Sequence, residues 1–310
     1  MDQLDQYRIF LRVAELGGFS RAAAALGLPK ASVSTAVRRL EAALGAQLLH
    51  RTTRRVQLTR EGALFLERCR DLLGEAEELQ ALFREEPALL RGRVRVGMSG
   101  SMAARLVMPR LGAFLQAHPG LEIELGAGER RVDVVREGYD CVVRTGAVVD
   151  PSLVARPLGL APVVNCASPD YLRRHGTPRA LDELAGHRLV HFAGSFGQRP
   201  TGFEYPLPGG GYASLEMAGA VTVDGGEAYT GAALAGLGLI QVPRLGVAAA
   251  LADGRLVEVL PQLAPEPMPV TLLYPQQRHL PRRVREVMDW LAQVLAPHLS
   301  PWPSAVGSSL

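Results

Sequence analysis

At 310 residues, 47% of them hydrophobic and 21% charged, the chain has room for two or three domains with sizeable cores, and its composition argues against disorder. No run approaches the ~18 apolar residues that a membrane span requires, and Met1-Asp2-Gln3 opens no basic-then-apolar leader, so neither membrane insertion nor export is expected. The net charge of +3 conceals a division along the chain, with +6 over residues 1–60, −5 over 61–87 and +2 over 88–310, which points to a polyanion partner at the N-terminal end.

Leu4, Tyr7, Phe10, Leu11 and Ala14 recur at helical spacing and predict an amphipathic helix over 2–16, stopped by Gly17-Gly18. Ser20 is placed to cap a short second helix, 20–26, closed by Gly27. A third helix spans 30–44, with Val33, Val37, Leu40 and Leu44 facing inward and Pro29 tolerated in its first turn. Two helices joined by so short a turn form a helix-turn-helix whose second member is the reader. Its outward face shows Lys30, Ser32, Ser34, Thr35, Arg38 and Arg39, hydroxyls and cations suited to base edges and phosphates. Ser20 and Arg21 join them as candidate DNA contacts. Residues 47–58 alternate enough for a short hairpin, and Arg51, Thr52, Arg54 and Arg55 give it a basic tip, a wing for the phosphate backbone. On periodicity alone, a three-helix bundle with a solvated basic face stays open.

Thr59 is placed to cap a further helix, in whose first turn Gly62 is a mild weakness. Leu66, Cys69, Leu72, Leu73, Ala76, Leu79, Leu82 and Phe83 hold a 3-4 spacing over about 25 residues, or ~37 Å. The stripe either packs on its own domain or pairs with another subunit. Its acidic outer face, with Glu75, Glu77, Glu78, Glu85 and Glu86, reads as solvated, and Pro87 ends it.

From residue 93 strands alternate with helices. Strands are expected at 94–97, 121–125, 139–144, 163–167, 189–192, 220–223, 239–242 and 270–274, and helices at 102–117, 130–137, 228–235 and 282–296. That alternation predicts a parallel sheet with helices on both faces. Ligands of open α/β sheets sit beyond the carboxyl ends of the strands. The rule selects Met98, Ser99, Gly100, Ser101, Gly126, Ala127, Gly128, Arg144, Thr145, Phe192, Ala193, Gly194, Asp224, Gly225 and Gly226, and amides and hydroxyls at 98–101 would suit a carboxylate. Ser99 and Ser101 serve equally well as helix caps, and Arg144 as a structural partner of Asp140.

Enzyme chemistry finds little support. His187 and His191 fall on a strand, on one face but ~13 Å apart. Gly97-Met98-Ser99-Gly100 is one residue short of a nucleophile elbow, and Gly209-Gly210-Gly211 lacks the Lys-Ser/Thr of a phosphate loop. Cys69, Cys141 and Cys166 have no metal-ligand spacing and cannot all pair, which fits a reduced cytoplasm. No catalytic residue, metal or cofactor is expected. An architectural DNA-binder without a ligand is the other rival, and a C-terminal α/β segment of some 200 residues is excessive for one.

Gly18-Phe19-Ser20-Arg21-Ala22-Ala23, Val33-Ser34, Arg39-Leu40-Glu41, Leu44-Gly45, Leu48-Leu49, Arg51-Thr52 and Leu58-Thr59-Arg60-Glu61-Gly62 together resemble the LysR-type transcriptional regulators, without gaps over about sixty residues. Pro29-Lys30 stands where many members carry Ser-Gln, so no base preference is carried over. Glu137-Gly138-Tyr139-Asp140, Arg144-Thr145-Gly146, Ala167-Ser168-Pro169-Asp170-Tyr171-Leu172 and Ala235-Gly236-Leu237-Gly238 extend the resemblance to the family's effector domain. It implies an all-α winged helix-turn-helix over 1–58, a dimerisation helix over 59–87 and a hinge over 88–92. Beyond these it implies an α/β two-lobed effector domain like a periplasmic binding protein over 93–300, with lobe one at 93–162 and 267–300, lobe two at 163–266, and a tail at 301–310. The implied function is cytoplasmic, sequence-specific transcription regulation, controlled by a small-molecule effector between the lobes, a carboxylate among the candidates. The implied partners are partly palindromic double-stranded DNA and a second copy, in a homodimer or a dimer of dimers, with RNA polymerase as a further candidate.

Overall fold

Asp2 starts the first helix, α1 (Gln3–Leu16), by a reciprocal cap: its Oδ1 accepts the Asp5 N–H at 2.7 Å, and Asp5 Oδ2 accepts the Asp2 N–H at 3.1 Å. The computed structural model describes residues 1–51, 56–81, 90–130, 132–147, 150–194, 201–276 and 280–302. It divides into two compact units, Met1–Arg93 with His118–Glu122, and Val94–Ala117 with Ile123–Leu310.

In the first unit α1 stops at Gly17, whose left-handed backbone glycine adopts without cost. α2 (Phe19–Leu26) and α3 (Lys30–Leu44) follow, with boundaries close to those expected. Ser20 is not a cap: α2 begins one residue earlier, Gly18 holds the cap position without a side-chain bond, and Ser20 lies exposed within the helix. The core is a single cluster around Ile9, Phe10, Val13, Val33, Val37 and Leu40. The hairpin pairs β1 (Leu49–Arg51) antiparallel with β2 (Val56–Leu58); its tip, 52–55, lies outside the described residues.

Thr59 caps α4 (Arg60–Ala81), accepting the Gly62 N–H at 2.9 Å and donating to the Gln47 carbonyl at 2.7 Å. Gly62 is no weakness. A Cβ there would stand 1.9 Å from the Leu48 carbonyl oxygen, so only glycine lets helix and hairpin meet this closely. The two readings of the apolar stripe divide between residues. Phe65, Leu66, Cys69 and Leu73 pack on their own domain, with Phe65 edge-on to Tyr7 and Phe10, whereas Leu72 and Leu79 remain 43% and 63% exposed. Leu82, Phe83, Glu85, Glu86 and Pro87 lie outside the described residues.

The second domain opens with β3 (Arg91–Met98), so Arg91 and Gly92, expected in the hinge, belong to a strand. Helix then runs from Gly100 to Ala117 as α5 (Gly100–Met102), a π-helical turn (Ala103–Val107) and α6 (Met108–Ala117). β4 (Gly120–Ala127) and β5 (Cys141–Thr145) follow. The helix expected at 130–137 is a single turn instead. Bonds from Glu137 N to Asp133 O and from Tyr139 N to Val134 O close it, and Gly138 turns the chain away at φ 69°.

The sheet is mixed rather than parallel, in the order β4-β3-β5-β14-β6. β3 runs parallel to β5, but β14 (Met268–Pro275) is antiparallel to both β5 and β6 (Leu153–Ala161). β6 leads the chain out to lobe two and β14 brings it back, so one must oppose the other. β6 was not expected from the sequence, because Pro157 and Gly159 interrupt its pattern; at a sheet edge both are tolerated.

Lobe two centres on β7 (Val163–Ala167), and α7 (Pro169–His175) follows it, capped by Ser168. β8 (His191–Phe192) pairs in parallel with β11 (Thr222–Val223), and β9 (Phe203–Pro206) forms a hairpin with β10 (Tyr212–Leu215). α8 (Gly226–Leu234) leads to β12 (Ile240–Pro243), α9 (Arg244–Ala252) and β13 (Val257–Glu258). β12 and β13 both flank β7 antiparallel, so lobe two's sheet departs from the parallel expectation as well. α10 (Arg282–Leu295) returns to lobe one, where Trp290 stacks on Phe114 at 4.5 Å.

Candidate DNA-reading face and effector cleft

At 100° per residue, burial of Val33, Ala36, Val37 and Leu40 turns the opposite side of α3 outward. Thr35, Arg38 and Arg39 are exposed there, Ser34 half-buried beside them, and Lys30 and Ser32 flank the face. Arg38 reaches back over Ser34, with Nη2 3.5 Å from Oγ and Nε 3.5 Å from the carbonyl oxygen. Glu41, on the same helix, accepts the Leu48 and Leu49 amides at 3.0 and 3.2 Å, tying the reader helix to the hairpin. No local pattern around Glu41 signals that tie. On α2, Arg21 donates to the Gly17 carbonyl at 3.3 Å, and Ser20 is exposed nearby. Arg51 ends β1, and Thr52, Arg54 and Arg55 lie outside the described residues.

In lobe one a cavity of about 270 Å³ opens at the carboxyl ends of β3, β4 and β5. Of the expected ligand contacts it gathers Met98, Gly126, Ala127, Gly128 and Arg144; Ser99, Gly100, Ser101, Thr145, Phe192, Asp224 and Gly225 are not in its lining. Ser99 caps α5, accepting the Met102 N–H at 3.4 Å, and its hydroxyl lies 3.4 Å from that of Ser101. Thr145 ends β5. Phe192 meets Tyr229 edge-on at 5.4 Å, and Asp224 and Gly225 precede α8 in lobe two.

Sequence reasoning missed Gly97, Arg130, Val132 and Tyr139 of the lining. A Cβ on Gly126 would stand 2.3 Å from the Tyr139 hydroxyl, so glycine at that strand end makes room for the ring. Arg144 donates to the Arg130 carbonyl at 3.1 Å, and Asp140 Oδ2 accepts the Arg95 amide at 2.7 Å. Two guanidinium groups line the cavity, and Arg130 Nη2 is paired with Glu137 Oε2 at 2.6 Å.

The thiols take no part in either surface. Cys69, Cys141 and Cys166 are free and buried; burial pushes the pKa of Cys69 and Cys166 up to about 12 and raises that of Cys141 as well. His187 is buried against Tyr171, its Nδ1 3.2 Å from the hydroxyl.

Residues 4–63 match the helix-turn-helix domain of the bacterial regulatory LysR family, and residues 87–296 match the LysR substrate-binding domain. The HTH-type transcriptional regulator YhjC of Escherichia coli is 46% identical over 299 residues, covering 96% of this chain and all of that one. The structure of CrgA, a LysR-type regulator from Neisseria meningitidis, is 30% identical with a TM-score of 0.60, covering 94% of this chain and 98% of CrgA. The full-length Vibrio cholerae virulence activator AphB is 27% identical with a TM-score of 0.56, covering 96% of this chain and all of AphB.

Proposed function

The chain belongs to the LysR-type transcriptional regulators, and we propose that its α3 reads DNA bases while an anion in the lobe-one cavity controls the outcome. As a member of that family it is a DNA-binding transcription regulator with an effector domain, not an enzyme. The observation that carries the reading of α3 is its exposed hydroxyl and cation face, on a helix that Glu41 ties to the hairpin.

Thr35 and Ser34 enter the major groove, where short hydroxyls reach base edges, and Lys30, Ser32, Arg38 and Arg39 sit at the flanks. Ser20 and Arg21 at the helix start, and the wing residues Arg51, Thr52, Arg54 and Arg55, bind phosphate. Leu72 and Leu79, one heptad apart and exposed on α4, pair with a second copy. Two-fold symmetry then gives a partly palindromic site, and two such dimers form the tetramer. The protein works in the cytoplasm, with RNA polymerase as a further partner.

The effector is a small carboxylate held by Arg144 and Arg130, with Met98 and Gly128 in the same cavity lining and Ser99, Gly100, Ser101 and Thr145 as further contacts at the strand ends. Phe192, Asp224 and Gly225 approach from lobe two. In vitro selection of bound DNA tests the reader: Thr35→Ala and Ser34→Ala should return a changed consensus. An unchanged consensus from both overturns the placement of α3.

A further inference from the structure

We propose that lobe two carries a second ligand site, a cavity between the 3₁₀ turn Asp182–Gly186 and the end of β10, which takes a small organic ammonium ion bearing a carbonyl oxygen and held by His187, Asp182 and Glu216.

The cavity holds about 230 Å³ and lies wholly within lobe two. Leu184 and Met217, both buried, give it an apolar floor, and Leu181 and Leu215 flank them half-buried. Asp182 and Glu216 stand exposed at its mouth, on the two segments that face one another across it. Among the described residues its lining has two acids and no arginine or lysine, whereas the lining of the lobe-one cavity has two arginines and no acid. The two cavities therefore favour ligands of opposite charge.

His187 supplies the polar group inside. It is only 6% exposed and lines the cavity beside Leu184. The Tyr171 hydroxyl accepts the Arg188 amide at 2.8 Å and lies 3.2 Å from His187 Nδ1. Its own proton has no other acceptor among the described residues, so it goes to Nδ1, and the imidazole proton is assigned to Nε2. Burial first and then His175 hold the ring's pKa below the ordinary histidine value, against the opposing pull of Glu183, so the ring is neutral at pH 7. His187 thus brings to the cavity an Nε2–H donor that no described residue accepts.

This combination discriminates between ligands. An apolar molecule without an acceptor would fill the cavity and leave the Nε2–H dry and unpaired, which is unfavourable. An anion would meet Asp182 and Glu216. An ammonium ion with a carbonyl on a short apolar body satisfies all three features: oxygen to Nε2–H, body over Leu184 and Met217, charge at the carboxylates.

Isothermal titration of the full-length protein at pH 7, where most of the amine is protonated, tests this with leucinamide. 4-Methylpentanamide lacks its ammonium group and 3-methylbutylamine lacks its carbonyl, and each should bind roughly fivefold more weakly. Asp182→Asn with Glu216→Gln, both on the surface, should weaken leucinamide about fivefold and bring it level with 4-methylpentanamide. His187→Leu should erase the advantage of leucinamide over 3-methylbutylamine. Leucinamide that gives no saturable heat at millimolar concentration overturns the site. So does equal binding of the three probes, or a double variant that binds leucinamide as tightly as wild type. An advantage of leucinamide that persists in His187→Leu overturns the assignment of the donor.

Discussion

Replacing Gly62 with alanine tests how closely α4 and the hairpin are joined. In an ordinary helix the change stabilises by about 1 kcal/mol, because glycine gives up more backbone freedom on folding. Here the new methyl would stand 1.9 Å from the Leu48 carbonyl oxygen and 2.8 Å from its carbon. Relief needs a movement of about 1.5 Å, since ordinary carbon contacts begin near 3.4 Å. That carbonyl also accepts the Thr59 N–H at 3.0 Å, so moving it strains the bond that starts the helix. Overpacking of this kind costs about 1–3 kcal/mol and a strained hydrogen bond about 1 more, so the net expectation is a loss of about 1–3 kcal/mol. For a unit of this size the melting temperature should fall by roughly 5–20 °C. Circular dichroism of the full-length variant measures it, with DNA binding weakened in parallel. A variant that melts at or above wild type would refute the steric argument and restore Gly62 to a simple helix defect.

The three buried thiols should be nearly inert in the native protein. With a pKa of about 12, Cys69 and Cys166 are about 10⁻⁴ thiolate at pH 8, so reaction with a disulfide reagent should run at least a thousandfold slower than for a free thiol until the chain unfolds; one fast thiol would contradict this. His187 has its pKa lowered, first by desolvation and then by His175. The unfolded chain therefore binds the extra proton first, and wild type should lose stability as pH falls below about 6.5, a loss that His187→Gln should reduce in melts across that range. Leu72→Glu with Leu79→Glu should convert the oligomer to monomer in light scattering, because charges would sit in the proposed helix seam; an unchanged mass would place the interface elsewhere.

Much of the fold was legible because its signals are local. Helix 30–44 followed from apolar spacing and its Gly45 stop, and the cap at Thr59 from residue type and position. What stayed hidden depends on partners distant in sequence. β6 is a strand because β14 pairs with it, despite Pro157 and Gly159. Gly62 and Gly126 are set by what lies opposite them, Leu48 and Tyr139. The site divided in the same way: strand-end reasoning found Met98, Gly126, Ala127, Gly128 and Arg144, whereas Arg130 and Tyr139 come from loops meeting in space.

The central claim is that α3 reads bases while the wing holds phosphates, and the salt dependence of binding separates the two. Affinity of the full-length protein should be measured across a salt series, on the operator and on a scrambled duplex, for wild type, Thr35→Ala, Arg54→Ala and Arg55→Ala. Thr35→Ala should lose about 1–3 kcal/mol on the operator alone. Each arginine variant should weaken binding to both duplexes and flatten the slope by about one. A Thr35→Ala loss equal on both duplexes, together with arginine variants that leave the slope unchanged, would contradict the account.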